Sequence, residues 1–141
     1  MKTSKYNCRS KIRAIAVICL LAISGTYSAA QDSTVTQDKY SQEKMTPADA
    51  LQMMKDGNSR FVSGTIFHRD LYKQVVATSM GQYPYAVVLS CIDSRTAPEI
   101  TFDQGIGDIF DARIAGNFIN DDILGSMEFA CKVTGAKLIL V

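Results

Sequence analysis

The chain has 141 residues, 47% of them apolar and 21% charged, which is enough to build one folded domain with a hydrophobic core. Its formal net charge is +1, but residues 1–30 contain five of the fifteen basic residues and none of the fourteen acidic ones. The remainder has ten basic and fourteen acidic residues, a net charge of −4, which argues against a nucleic-acid-binding surface.

Residues 1–30 have the pattern of a secretory signal. Five cations precede an uncharged apolar run at residues 14–23, which is too short for a typical membrane span. Ser28 to Ala30 are small residues that suit cleavage before Gln31. We therefore predict a periplasmic or secreted protein that has no membrane association after cleavage. An uncleaved anchor is the alternative.

The next part of the chain predicts a leader and then the start of the domain. Residues 31–45 are polar and lack periodicity, which predicts a flexible leader before a domain at residues 46–141. Thr46 followed by Pro47 is typical of a helix start, because threonine caps helices well and proline suits their first turn. Gly57 is predicted to end this helix.

The rest of the chain alternates between helical and strand patterns. Apolar runs predict strands of a parallel sheet at residues 86–89, 109–114 and 137–141. Helical segments are predicted at residues 71–79 and at about 121–133. Strands and helices in this order imply right-handed crossovers. The sequence therefore predicts an α/β fold in which a partial parallel sheet is flanked by helices.

Three reactive side chains follow the first of these strands. Cys91, Asp93 and Arg95 lie within five residues at the carboxyl end of a buried strand, which is where ligands bind in open α/β sheets. A thiolate suits zinc, and Asp93 could reach the same ion or steer the cysteine. Arg95 could hold Asp93 in a bidentate pair and lower the pKa of its carboxyl group.

Other uses of these residues fit the sequence less well. A tyrosine-phosphatase-like loop needs a longer spacing than the four residues from Cys91 to Arg95. A thioredoxin-like site needs Cys-x-x-Cys, but Ser94 stands where the second cysteine would be. Cys131 is predicted on a helix face, as a buried apolar residue, so a disulfide with Cys91 is disfavoured. His68, the only histidine, lies outside any metal motif and is predicted to be exposed or structural.

Several motifs occur in a fixed order along the chain, including Cys-Ile-Asp-Ser-Arg at 91–95 and Arg-Ile-Ala-Gly-Asn at 113–117. Further motifs of the same set lie at residues 51–61, 97–99, 102–110 and 125–130. From about Thr46 to Val141 this set resembles the first half of a β-class carbonic anhydrase.

The resemblance implies a zinc site in which this chain supplies one part. In that family a cysteine binds zinc together with the histidine and cysteine of a Gly-His-x-x-Cys-Gly block that follows a later strand. Cys91 would be the first ligand. Asp93, paired with Arg95, would accept a hydrogen bond from the hydroxide that attacks CO₂; released from Arg95, it could bind zinc itself. A loop-stabilising ion pair is the alternative role for Asp93 and Arg95.

Two further residues match family positions near the substrate. Gln82 stands nine residues before Cys91, as does a glutamine that donates an amide hydrogen bond to bound substrate in some members; a polar turn residue is the alternative. Phe110 matches an aromatic residue that lines the neighbouring subunit's cleft, and a core phenylalanine is the alternative. The family implies a homodimer or tetramer.

Residues 137–141 look like the strand before the zinc block, so the block and the helical C-terminal part lie beyond this sequence. We therefore predict an incomplete β-carbonic anhydrase domain at residues 46–141. Its family activity would be zinc-dependent, reversible hydration of CO₂ to bicarbonate, with this chain inactive alone. The alternative is a non-catalytic scaffold or interaction protein derived from the same fold.

Overall fold

The computed structural model describes residues 32–33 and 35–141, so the predicted secretory signal at residues 1–30 lies outside the described residues. The helices are α1 (Lys39–Lys44), α2 (Pro47–Ser63), α3 (Leu71–Thr78), α4 (Pro98–Thr101) and α5 (Asp121–Glu128). The strands are β1 (Asp32–Ser33), β2 (His68–Arg69), β3 (Ala86–Ser90), β4 (Ile109–Arg113) and β5 (Leu138–Leu140). Among the described helices, none combines the length and the apolar character that a membrane crossing requires.

The main sheet has three parallel strands in the order β4-β3-β5. Val87 in β3 lies opposite Phe110 on one side and Ile139 on the other. The first four residues of β3 are buried, as expected for a central parallel strand covered on both faces. The predicted α/β class, with a small parallel sheet between helices, is confirmed.

Alternate residues of β3 pack into two separate clusters. Ala86 and Val88 contact Met54 of α2 on one face of the sheet. Val87 and Leu89 contact Met127 of α5 on the other face. Side chains of a strand point to opposite faces in turn, so one apolar run joins both helices to the sheet.

The second half of the predicted flexible leader is a helix. Asp38 caps α1 by accepting a hydrogen bond from the amide of Ser41. Gln42 is buried, and its Nε2 donates to the carbonyl oxygens of Pro84 (2.7 Å) and Thr134 (2.8 Å). The prediction was wrong here because polar contacts, which make no apolar periodicity, anchor this segment; the Gln37 N–H, for example, also donates to Asp108 Oδ1.

Gly57 does not end α2, which continues to Ser63. The helix ends instead at Gly64, whose φ of 70° is in the left-handed region that glycine tolerates. Gly57 is buried where α2 approaches Phe102, immediately after α4. The glycine at position 57 therefore reflects a close approach of two segments and does not mark the end of a helix.

The helix predicted at 121–133 is α-helical to Glu128 and then forms a wider, π-helical turn to Val133. Met127 is buried and Leu124 is half exposed, while Cys131, which was predicted to be buried, is only partly buried. His68 lies in β2 with an exposed side chain.

Candidate metal and catalytic site

Cys91 follows β3 directly, at the carboxyl end of the sheet. Its Sγ accepts a hydrogen bond from the backbone N–H of Gly116, at 3.3 Å. This bond, together with backbone N–H groups of the Cys91 loop itself, lowers the pKa of the Cys91 thiol. Gly116, which supplies this N–H, lies in a turn and has a φ of 75°. Glycine adopts this left-handed conformation without strain. The turn therefore shifts the Cys91 thiol toward the thiolate, which is the form that binds metals.

Asp93 and Arg95 form the predicted bidentate pair. Arg95 Nε donates to Oδ1 at 3.0 Å and Nη2 to Oδ2 at 2.7 Å, while the Arg95 backbone N–H also reaches Oδ1 at 3.0 Å. The Arg95 side chain is the largest cause that lowers the pKa of Asp93 to about 2. Asp93 is therefore ionised at neutral pH, and both of its oxygens are held in a fixed direction.

The end of β4 lies alongside this loop and binds its backbone. Arg113 Nε donates to the carbonyl oxygen of Cys91 (3.1 Å), and Arg113 Nη2 donates to that of Asp93 (2.8 Å). Ile114 N–H donates to the carbonyl oxygen of Ser90 at 3.1 Å. Sequence reasoning noted Arg113 only as part of a motif, because a bond between a side chain and a distant backbone carbonyl leaves no local pattern.

The donor chemistry of this loop fits zinc, since a thiolate and a carboxylate are both zinc ligands. The set is small: among residues 32–33 and 35–141, no three His, Cys, Asp or Glu side chains are grouped so that they could hold a metal ion. Among the described residues, backbone N–H groups are the donors that reach the Cys91 thiol, whereas the Arg95 guanidinium binds both oxygens of Asp93. Within the part of the chain that the structure describes, Cys91 is therefore the residue best placed to bind zinc.

Comparison with known proteins gives the loop a context. A family model described as carbonic anhydrase matches residues 86–141, which include the whole Cys91–Arg95 loop, β4 and α5. The carbonic anhydrase of Mycolicibacterium smegmatis is 45% identical over 96 residues, and carbonic anhydrase 2 of Mycobacterium tuberculosis is 44% identical over 96 residues. The chain belongs to the β-carbonic anhydrase family.

These matches cover 67% of this chain but 47% and 46% of the two mycobacterial carbonic anhydrases, so the chain spans about half the length of the curated relatives it matches. A solved structure of the β-carbonic anhydrase CcaA is 31% identical in sequence, with a TM-score of 0.43. The match covers 65% of this chain and 40% of the CcaA chain.

The two predicted substrate residues lie elsewhere in the chain. Gln82 is exposed and precedes the amino end of β3, whereas Cys91 follows the carboxyl end. Five strand residues alone span about 17 Å, so Gln82 and Cys91 of one chain do not share a site. Phe110 packs against the Val87 cluster and meets Phe129 edge to face, with ring centroids 6.4 Å apart. With Arg113, both phenylalanines line an open cavity of about 680 Å³.

β4 also carries a carboxyl group that sequence reasoning missed. Asp111 Oδ1 is buried without a hydrogen-bond donor, as is Ser90 Oγ at the end of β3. Burial, followed by the neighbouring Glu99 carboxylate, raises the pKa of Asp111 to about 7, although Arg113 opposes the shift. A protonated Asp111 can donate a hydrogen bond to the Glu99 carboxylate, whereas an ionised Asp111 would face it without a donor between them.

Asp111 is therefore expected to make the fold less stable as pH rises. Its folded pKa lies above the ordinary value of 3.8, so the folded state binds more protons between about pH 4 and 7 and stability falls across that window. We expect a loss of about 1–2 kcal/mol, reduced by partial exposure to solvent. The substitution Asp111→Asn should flatten this pH dependence, because an amide can donate to Glu99 at any pH. Urea unfolding at pH 5 and pH 8 measures it.

Asp121→Asn, at an exposed position in the first turn of α5, is the matched control and should keep the wild-type pH profile. A pH profile of Asp111→Asn that runs parallel to the wild-type profile would contradict the raised pKa of Asp111.

Proposed function

We propose that this chain provides the Cys91 side of a zinc site that catalyses the reversible hydration of CO₂ to bicarbonate. The observation that carries the proposal is the Cys91–Arg95 loop: a thiolate favoured by the Gly116 N–H stands two residues from a carboxylate fixed by Arg95. Family membership and the names of the two mycobacterial relatives support it.

Cys91, as thiolate, would be one ligand, with Asp93 as a second only when Arg95 releases it. When bound, Zn²⁺ supplies Lewis acidity that lowers the pKa of a water molecule to about 7 and so provides a nucleophile at neutral pH. The other donors of a tetrahedral set are not grouped within the described residues.

Asp93 would orient the attacking water and would not remove its proton. A carboxyl group with a pKa of about 2 is a weak base at neutral pH, but an ionised carboxylate is a strong hydrogen-bond acceptor. By accepting the O–H of the water, Asp93 would turn a lone pair of that oxygen toward the carbon of CO₂. Arg95 keeps the carboxylate ionised and limits its rotation, which is the benefit of a pre-arranged acceptor.

Gln82 and Phe110 would contribute only across subunits. Gln82 cannot reach Cys91 of its own chain, so an amide hydrogen bond to bicarbonate at Cys91 would require Gln82 of a second chain. Phe110, at the edge of an open cavity, could face a neighbouring cleft in the same way. The proposal thus includes a homodimer or tetramer. It also includes a periplasmic or secreted location, which is supported by the sequence pattern of residues 1–30 alone.

Metal binding by Cys91 is the first test. In a chain expressed from Gln31, Cys91 and Cys131 are the remaining thiols. Titration with Co²⁺ should produce sulfur-to-cobalt charge-transfer absorption that Cys91→Ser abolishes and Cys131→Ser leaves unchanged. Absorption that survives Cys91→Ser would contradict the proposal and favour the non-catalytic scaffold.

Activity of the chain alone is the second arm of the same test. Because the described residues offer two donors, the purified chain should contain much less than one zinc per chain and should hydrate CO₂ no faster than buffer. Stopped-flow assays with a pH indicator and zinc quantification measure this. Rapid hydration with stoichiometric zinc would show that the donor set is complete in this chain.

A further inference from the structure

Arg113 is the last residue of β4, and it lies opposite Ser90, the last residue of β3. Its guanidinium donates Nε to the carbonyl oxygen of Cys91 and Nη2 to that of Asp93. These are the carbonyls of the two residues whose side chains form the candidate metal site. We infer that Arg113 is a positioning residue, which fixes the directions of the Cys91 and Asp93 side chains by holding their backbone.

The carbonyls that Arg113 binds lie beyond the ladder of the sheet. The ladder between β3 and β4 ends at the Ser90–Arg113 pair, and Ile114 N–H binds the carbonyl oxygen of Ser90. After that point the chain leaves the sheet, and a loop without strand partners has many conformations of similar energy. A planar fork that binds two carbonyls, two residues apart, restricts both peptide planes at once.

The end of β4 thus binds the loop at three places. Gly116 N–H reaches the Cys91 Sγ directly, while Arg113 holds the two carbonyls on either side of Ile92. Arg95 acts differently, since it comes from the loop itself and binds the Asp93 carboxylate. Arg95 therefore orients one side chain within the loop, and Arg113 fastens the loop to the sheet.

The backbone amides of Arg95 and Thr96 report on this fastening. Arg95 N–H donates to Asp93 Oδ1 and Thr96 N–H to the Asp93 carbonyl oxygen, each at 3.0 Å. If Arg113 holds the loop, both bonds open more often when its fork is removed. Local opening of this kind appears as faster amide hydrogen exchange in a segment while the core stays protected.

The experiment compares hydrogen exchange of the wild type with that of Arg113→Gln, Arg113→Lys and Arg95→Gln. Arg113→Gln and Arg113→Lys should both speed exchange at Thr96 about tenfold, because lysine keeps the charge but not the two-pronged geometry. The amide of Leu89, at the centre of the sheet, should be unaffected. Arg95→Gln, which leaves the fork in place, should leave Thr96 exchange near the wild-type rate.

Unchanged exchange at Thr96 in both Arg113 variants would overturn the inference, as would full protection in Arg113→Lys. Equal acceleration at Thr96 and Leu89 would also overturn it, because Arg113 would then stabilise the whole fold. The inference rests on the proposed function in one respect, namely that a fixed loop helps Cys91 and Asp93 to bind a metal. Hydrogen exchange needs no metal, so a failed Co²⁺ titration would reject the proposed function and leave this result standing.

Discussion

Replacing Gly57 by alanine is expected to destabilise the protein by about 2–3 kcal/mol, although alanine is the better helix former. A Cβ at this position would overlap the carbonyl oxygen of Phe102 and lie 2.7 Å from its carbonyl carbon. The obstacle is backbone, which cannot rotate away, so α2 and the segment after α4 would have to separate. Their separation would also strain the hydrogen bond from Asn58 Nδ2 to the Thr101 carbonyl oxygen, at 3.1 Å.

Gly125→Ala is the matched control, because Gly125 lies inside α5 and a Cβ there would meet nothing within 4 Å. This variant should be stabilised by about 0.5–1 kcal/mol, the usual gain of alanine over glycine in a helix. Urea unfolding of both variants measures the difference. Similar stability changes in the two variants would show that the contact between Gly57 and Phe102 is not tight in solution.

The second large effect is expected at Asp103, where Asp103→Asn should cost about 3 kcal/mol at pH 7. The Asp103 carboxylate is buried, with one oxygen bound by Arg60 Nε and the other by Arg69 Nη1. Both arginines also lie over the ring of Phe67, with Arg60 4.2 Å from its centroid. Removing the charge would leave two guanidinium groups without their counter-ion. Asparagine preserves the size of the side chain and tolerates the positive φ of Asp103, 48°.

The pH dependence separates this charge effect from a packing effect. Burial alone would raise the pKa of Asp103, but the hydrogen bonds from Arg60 and Arg69 outweigh it and hold the pKa below its ordinary value. A carboxyl group with a lowered folded pKa stabilises the fold above its unfolded pKa, and this stabilisation is lost as pH falls through the folded pKa. The difference between the wild type and Asp103→Asn should therefore shrink toward pH 2.

Asp56→Asn serves as the control for Asp103→Asn. Asp56 is exposed on α2 and accepts a hydrogen bond from Gln52, so its substitution should change the stability by less than about 0.5 kcal/mol. A cost for Asp103→Asn that stays constant from pH 7 to the lowest pH reached would mean that the ion pairs contribute little, and that the shape of the side chain matters instead.

The central strand and the reactive loop were predictable because their signals are local. The run at residues 86–89 is continuously apolar, which a strand covered on both faces requires, and β3 lies there. The pair of Asp93 and Arg95 could be predicted for the same reason, since a guanidinium two residues away reaches the carboxylate whatever the rest of the fold does. Cys91 was placed correctly at the strand end because its position follows from the strand.

Signals that join distant segments were misread or missed. Gly57 looked like a helix terminus, because the sequence does not show that Phe102 packs against it. Residues 31–45 were predicted to be flexible because the partners that hold Gln42 in place are distant in the sequence. Its amide binds Pro84 and Thr134, which lie 42 and 92 residues away. Polar contacts of this kind have no period along the chain, so only the fold reveals which backbone groups a buried amide satisfies.

The sequence by itself determined the family, the three strands of the main sheet, and the presence of Cys91, Asp93 and Arg95 at one strand end, because local chemistry and spacing encode all of these. Only the tertiary structure decided what holds that loop in place. Arg113 and Gly116 reach it from twenty or more residues away, and each bond uses a backbone group, a carbonyl that accepts from Arg113 or the N–H of Gly116, which every non-proline residue has. It also decided that Gln82 stands at the opposite end of β3 from Cys91, since the length of an extended strand separates the two residues within one chain.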